Sequence, residues 1–190
     1  FFEAGEKRRT EGDRNGDGKP DLFAYYQAGQ IVRQEEDANF DGSIDKRTQT
    51  GEKGSQTQEA DSNGDGRIDT WIITDAKGAV MERREDRSGD GKPDLIAWFK
   101  NGKRLRLEQD SGGRGCIDLK QAFDAKEEVV AEFRDTNADC KFDQWSYYEN
   151  TNLVRLGQDT NGDGSPDVLN FFGRDGKAVQ QEIASGSNGK

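Results

Sequence analysis

The sequence predicts an all-β chain, an elongated repeat array of antiparallel β-hairpins with an acidic loop at one end of each. Three observations lead there. A nine-residue phrase, Asp-x-Asn-x-Asp-Gly-x-x-Asp, recurs with variations seven times in 190 residues, from Asp13, Asp37, Asp61, Asp86, Asp110, Asp135 and Asp159. Successive first aspartates lie 24, 24, 25, 24, 25 and 24 residues apart, a period expected of stacked repeats. Between the loops run aromatic and β-branched stretches, which favour strands, interrupted by a mid-repeat turn.

Taken in order, residues 1–12 form a partial repeat. Its opening Phe1-Phe2-Glu3-Ala4-Gly5 matches Phe171-Phe172-Gly173-Arg174-Asp175 in phase, so the sequence reads as starting mid-repeat, with an upstream piece expected. In the first full unit the loop DRNGDGKPD leads into Leu22-Phe23-Ala24-Tyr25-Tyr26, a turn at Gly29 and a return through Ile31-Val32. The second unit has the loop DANFDGSID, but its hairpin, 46–60, carries no large apolar residue and is expected to project into solvent or to be poorly ordered. The third runs through Trp71-Ile72-Ile73, Gly78 and Val80-Met81. The fourth runs through Leu95-Ile96-Ala97-Trp98-Phe99, Asn101-Gly102, and Leu105 with Leu107.

In the fifth unit the segment 122–134 (AFDAKEEVVAEFR) looks helical by itself. A unit of 24 residues has no room for a loop and two helices, and the mid-repeat glycine of the register breaks helices; strands are therefore expected, returning through Val129-Val130. The sixth unit has Trp145-Ser146-Tyr147-Tyr148 and Leu153-Val154, and the seventh has Val168-Leu169-Asn170-Phe171-Phe172 and Asp175-Gly176. Asn101-Gly102 and Asp175-Gly176 are strong tight-hairpin signals. Seven units of two strands give about fourteen strands in one repeat domain, 1–184, followed by a flexible tail, 185–190. Loop positions 11 and 13 fall on one face because the strand period is two. That face holds Phe23 and Tyr25, Trp71 and Ile73, Ile96 and Trp98, Trp145 and Tyr147, and Leu169 and Phe171.

The loops themselves are oxygen-rich. Ca²⁺ is a hard cation that takes six to eight oxygen ligands, and alternate residues of a tight loop can turn their oxygens inward around one. In the first loop these are Asp13, Asn15 and Asp17, then the backbone carbonyl of Lys19, with Asp21 closing the cage through both carboxylate oxygens. Gly18 permits the sharp turn. The same reading gives Asp37, Asn39, Asp41, Ser43 and Asp45 in the second loop and Asp61, Asn63, Asp65, Arg67 and Asp69 in the third. It gives Asp86, Ser88, Asp90, Lys92 and Asp94 in the fourth. In the sixth it gives Asp135, Asn137, Asp139, Lys141 and Asp143, and in the seventh Asp159, Asn161, Asp163, Ser165 and Asp167. The alternative reading is a run of acidic solvent turns, which leaves four fixed oxygen positions per repeat without a reason.

These loops resemble the Dx[DN]xDGxxD calcium loops of thrombospondin type 3 repeats, dockerins and FG-GAP-type extracellular repeats. The resemblance covers all seven loops and implies an extracellular calcium-binding repeat protein. It is not a full EF-hand match, because that motif has Glu at loop position 12 where this chain has Ala24, Ile72, Ala97 or Asn170. The Trp/Tyr–Gly pattern between the loops is similar to bacterial hairpin repeats of the MORN type, which lack the ion loop.

Two loops depart from the pattern. At 110–118 the third and fifth positions are Gly112 and Arg114. A guanidinium in place of a carboxylate removes a ligand and adds repulsion, so this loop is expected to be empty and the chain to bind about six ions. In the sixth loop Cys140 stands in place of the turn glycine. The only cysteines, Cys116 and Cys140, fall in these two loops, and a disulfide that replaces the missing ion as a clamp is the economical reading; the alternative is two unpaired buried thiols. Loops two strands apart would lie roughly 10 Å from each other, and a disulfide needs Cα atoms within about 7 Å, so these two loops must lean together.

Composition bounds the rest. Only 30% of residues are hydrophobic and the formal charge is −10, which without ions borders on disorder. Six Ca²⁺ would bring the charge from −10 to about +2. Ordering the backbone costs roughly 1–2 kcal/mol per residue, so folding is expected to be coupled to the metal. There is no histidine, which removes Ser-His and Cys-His chemistry, and the aspartates are assigned to ions; an enzyme is not expected. Nor is nucleic-acid binding, since 28 Lys and Arg are outnumbered by 38 Asp and Glu and are scattered. No membrane span is present. Extracellular modules of this kind bind calcium with dissociation constants on the order of 10⁻⁴–10⁻³ M, and disulfides belong to oxidising compartments. The expected location is therefore secreted, cell-surface or periplasmic, in a bacterium. The leading functional reading is a structural or adhesive module, a rigid spacer or assembly subunit that meets other copies or surface proteins through its sheet edges or aromatic face. The second is a carbohydrate- or protein-binding module in which Trp71, Trp98, Tyr25 and Tyr147 stack on ligands. Exposure of those rings separates the two.

Overall fold

The computed structural model describes residues 1–184; the expected tail at 185–190 lies outside the described residues. The chain divides into two compact units, Phe1–Pro93 and Asp94–Lys190. The first holds β1 (Phe2–Glu3), β2 (Glu6–Lys7), β3 (Arg9–Gly12), β4 (Leu22–Gln27), β5 (Gln30–Glu36), β6 (Lys46–Thr50), β7 (Gln56–Ala60), β8 (Thr70–Thr74) and β9 (Val80–Glu85). The second holds β10 (Leu95–Lys100), β11 (Lys103–Gln109), β12 (Leu119–Phe123), β13 (Val129–Arg134), β14 (Gln144–Glu149), β15 (Asn152–Gln158), β16 (Val168–Phe172) and β17 (Ala178–Ile183). The β1–β2 hairpin stands apart. From β3 to β9, and again from β10 to β17, each strand pairs antiparallel with its neighbour in sequence. Among the described residues the only helical element is the 3₁₀ turn Glu52–Gly54, so 119–134 folds as strands β12 and β13 rather than as a helix.

Hairpin closure follows local chemistry. Two-residue turns with both central residues at positive φ match the twist of the flanking strands. Asn101 and Gly102 adopt φ of 53° and 75° between β10 and β11. Six hairpins carry a bulge near the turn, always opposite the same repeat position. The register leaves one return-strand residue unpaired in each: Val32, Met81, Leu105, Val130, Val154 and Val179. A bulge of this kind sharpens the local twist.

The 46–60 hairpin corrects one expectation. It neither projects nor lacks order: β6 and β7 continue the sheet in register with β5 and β8. Charge replaces apolar packing here. Arg47 bridges Glu35 and Glu59, at 2.9 Å to each, and Glu35 is only 6% exposed.

Neither unit has a conventional core. Among the described residues the buried apolar ones are Ala24, Ala97 and Leu107, and no large side chain is fully buried. Buried residues are instead mainly acidic: Asp21, Glu35, Asp37, Asp45, Asp69, Asp86, Asp94, Glu108 and Asp110 all fall in that class. One sheet face of the first unit carries the cross-strand row Phe23, Glu35, Arg47, Glu59, Trp71 and Arg84. Guanidinium groups cover several rings. Arg9 lies 4.9 Å from the Phe23 centroid and Arg33 lies 5.1 Å from that of Tyr25. In the second unit Arg106 lies 4.7 Å from Trp98 and Arg155 3.8 Å from Tyr147. Such cation–π stacks contribute roughly 0.5–1 kcal/mol each when exposed, and more when desolvated.

Candidate functional site

The acidic loops share one hydrogen-bond scheme. Outside the loops at 37–45 and 110–118, the carboxylate at the first position accepts backbone N–H bonds from the fourth and sixth positions; Asp37 accepts from the fifth and sixth, Asp41 and Gly42. Gly16 and Gly18 donate to Asp13 at 2.6 and 2.9 Å, Gly64 and Gly66 to Asp61, both at 2.7 Å, and Gly162 and Gly164 to Asp159, both at 2.7 Å. The third-position amide oxygen accepts from the fifth-position N–H, as Asn15 does from Asp17 and Asn161 from Asp163, both at 2.9 Å. The fifth-position carboxylate accepts from the seventh-position N–H: Lys19 to Asp17 at 2.8 Å, Arg67 to Asp65 at 2.9 Å, Lys92 to Asp90 at 2.8 Å. The closing carboxylate accepts from the second position: Ala38 to Asp45 at 2.6 Å, Thr136 to Asp143 at 3.1 Å, Thr160 to Asp167 at 3.1 Å.

The strands hold these loops side by side. The amide of each first aspartate donates to the carbonyl of the closing aspartate of the loop before. This bond joins Asp37 to Asp21, Asp61 to Asp45 and Asp86 to Asp69 in the first unit, and Asp110 to Asp94, Asp135 to Asp118 and Asp159 to Asp143 in the second, all at 2.7–3.0 Å.

Electrostatics follow from this geometry. Burial pushes the carboxyls of Asp86, Asp135 and Asp159 up, and the backbone amides aimed at them outweigh that effect and hold them below the usual carboxylate range. Asp21 and Asp69 obey the same balance, with Arg14 and Ser62 supplying the leading donors. Asp41 is held low chiefly by the Ser43 amide. These six carboxylates are therefore held in their ionised form within oxygen-lined loops. The asparagine side chains add donors of their own: Asn39 Nδ2 lies 3.1 Å from both Asp41 and Asp45 oxygens.

Each expected ligand set lies within a single loop. The sets at 13–21, 37–45, 61–69, 135–143 and 159–167 are each knit together by the scheme above. Asp86, Ser88, Asp90 and Lys92 lie in the first unit, while Asp94 opens the second and is buried. Among the described residues no three acidic side chains are already gathered on a single point, because each carboxylate is turned to backbone N–H groups. The donor set nonetheless fits a hard cation: it contains only carboxylate, amide and carbonyl oxygen and, at Ser88, a hydroxyl, and each carboxylate has more acceptor positions than its amide bonds use.

The loop at 110–118 differs as expected. Asp110 accepts N–H bonds from Gly112, Arg114, Gly115 and Cys116, and no side-chain oxygen stands at the third or fifth position. Cys116 and Cys140 form a disulfide with Cα atoms 5.7 Å apart, so the two loops do lean together.

Two groups of residues escaped sequence reasoning. Hydroxyls at the second position donate to the closing carboxylate: Ser62 to Asp69 at 2.7 Å, Ser111 to Asp118 at 2.6 Å, Thr136 to Asp143 and Thr160 to Asp167, both at 2.8 Å. Their recurrence directly after the first aspartate was a readable signal. Basic side chains also bridge adjacent loops. Arg67 donates to the Gly89 carbonyl at 3.3 Å, Arg114 to that of Ala138 at 2.8 Å and Lys141 to that of Gly162 at 3.2 Å.

No family model and no curated protein matches the chain. Among solved structures it is similar to a single-site mutant of Staphylococcus aureus TarM, crystallised with fondaparinux, alpha-GlcNAc-glycerol and UDP, at 11% identity and a TM-score of 0.21. That match covers 67% of this chain and 20% of the other, so the chain spans about a fifth of its length; a likeness this slight carries no argument. Among the described residues no helix is long and apolar enough to cross a membrane.

Proposed function

We propose that the chain is a calcium-braced structural or adhesive module of a bacterial cell surface, secreted or periplasmic, and not an enzyme. It would serve as a rigid spacer or an assembly subunit. The observation that carries this reading is the inverted burial among the described residues: seven loop aspartates, Asp21, Asp37, Asp45, Asp69, Asp86, Asp94 and Asp110, are buried, against three apolar side chains. Buried ionised carboxylates need compensation, and backbone amides supply it only in part. Calcium at the six loops that begin at Asp13, Asp37, Asp61, Asp86, Asp135 and Asp159 would supply the remainder and cancel the repulsion of a chain at −10. The disulfide supports an oxidising compartment. Arginines laid over Phe23, Tyr25, Trp98 and Tyr147 favour a scaffold over a sugar-binding face, because three of the four rings expected to stack on sugars, Tyr25, Trp98 and Tyr147, already carry a guanidinium.

The test is a calcium titration of chelator-treated protein, followed by far-UV circular dichroism and calorimetry. Cooperative gain of β signal with about six ions bound supports the proposal. Retention of the full fold without metal, with no heat of calcium binding, overturns it.

A further inference from the structure

We propose that Arg114 is a tethered cation that competes with calcium for the neighbouring loop at 135–143; the inference rests on the reading of that loop as an ion site. Arg114 occupies the fifth position of the ligand-poor loop at 110–118, yet its side chain serves the next loop. Its guanidinium donates to the Ala138 carbonyl at 2.8 Å and to Asp135 Oδ2 at 3.3 Å, and it lies 3.8 Å from Asp118. The Asp135 side chain has no exposed surface, whereas the arginine side chain keeps 32% of its own. A buried first-position carboxylate thus faces a cation that the chain itself supplies.

The other bridging bases mark the contrast. Arg67 and Lys141 reach the corresponding carbonyls, of Gly89 and Gly162. Arg114 combines that contact with an ion pair to the first aspartate of the loop it reaches. The disulfide strengthens the effect, because it ties Cys116, two residues from Arg114, to Cys140, whose N–H donates to the same Asp135 Oδ2 at 2.9 Å. The guanidinium is therefore presented to the carboxylate at high effective concentration. An ion entering this loop must displace a charge-assisted contact that the loops at 61–69 and 159–167 do not have to break, so this loop fills after them; the loop at 13–21 is no such reference, because Arg14 pairs with its closing Asp21 at 3.0 Å.

The experiment is a calcium titration of the whole chain, disulfide intact, read by NMR at the amides of Gly64, Gly162, Ala138 and Cys140. In the parent protein the Ala138 and Cys140 signals should respond at calcium concentrations about ten-fold higher than the two glycines, a difference equivalent to about 1.4 kcal/mol. Arg114→Gln should bring all four signals into one range, and Arg114→Lys, which keeps the charge, should preserve much of the gap. In chelator, Arg114→Gln should speed hydrogen exchange at Ala138 and Cys140, because Asp135 loses its partner. Simultaneous response of all four signals in the parent, or an unchanged gap in Arg114→Gln, overturns the inference and leaves the proposed function standing. No response at Gly64 or Gly162 overturns the calcium reading itself, and the inference with it.

Discussion

Positive backbone φ is the recurring demand at the level of single residues. The fourth and sixth loop positions adopt it throughout the described loops, and glycine fills most of them. Phe40, Ala138 and Cys140 are the exceptions, at 65°, 68° and 69°. Hairpin turns make the same demand, and Thr151, a β-branched residue at φ 65°, meets it worst. Thr151→Gly should therefore stabilise the protein by about 1 kcal/mol, seen as a higher urea midpoint at unchanged slope. An unchanged or lower midpoint would show that the Thr151 side chain makes up for its conformation. Gly157 answers a different need. A Cβ there would lie 3.1 Å from Pro166 Cβ and 3.3 Å from Leu169 Cδ2, so its role is space between β14 and β16 rather than backbone freedom.

Strand pairing is secured differently in different hairpins. The hairpins led by β4, β10, β12 and β14 combine apolar contact with guanidinium stacking on Tyr25, Trp98, Phe123 and Tyr147. The β6–β7 hairpin has neither and relies on the Glu35–Arg47–Glu59 chain. Burial pushes Glu35 up, and hydrogen bonds from Arg33, Arg47 and Tyr25 overcome it and hold the carboxyl below the usual range. Arg47→Ala should cost about 1–2 kcal/mol, since it strips partners from a buried carboxylate while Arg47 itself is a third exposed. Hydrogen exchange should rise first at the amides of 46–60, and salt should weaken the contribution. Uniform exchange across the first unit would mean that the hairpin is no weaker than its neighbours.

Over the whole molecule, two charge effects oppose each other on acidification. Neutralising carboxylates relieves the repulsion of a −10 chain, which favours folding. It also removes carboxylates that folding holds in their ionised form: Asp21, Asp69, Asp86, Asp110, Asp135, Asp159, Glu35 and Glu132 all titrate below their ordinary values. A depressed folded value contributes stability that is present above the unfolded value, about 4 for Asp and Glu, and lost as pH falls through the folded value. The lowered groups are numerous and each is held by fixed partners, backbone amides for Asp86, Asp110, Asp135 and Asp159 and side-chain donors for Glu35 and Glu132, so the second effect should win. In chelator, the melting temperature should hold down to about pH 5 and fall below about pH 4. A rise on acidification would mean that repulsion dominates.

Much of this was legible in the sequence because it is local. Loop positions, strand positions and the glycine turns depend on residues a few places apart, and the 24–25-residue register repeated them often enough to outweigh the helical look of 122–134. The cysteine pair could be read because the repeat put both thiols at nearly the same place in adjacent loops. Other features needed tertiary structure, because they join residues a full repeat apart or depend on cross-strand register. These are the unpaired residue at each bulge, the hydroxyls on the closing aspartates and the arginines over the rings. The integration of 46–60 belongs with them, since its stability comes from Glu35 on one side and Trp71 and its strand on the other. So does the reach of Arg114 into the loop at Asp135. Sequence by itself marked Arg114 as a lost ligand; only the packing of one loop against the next turned that lost ligand into a cation for its neighbour.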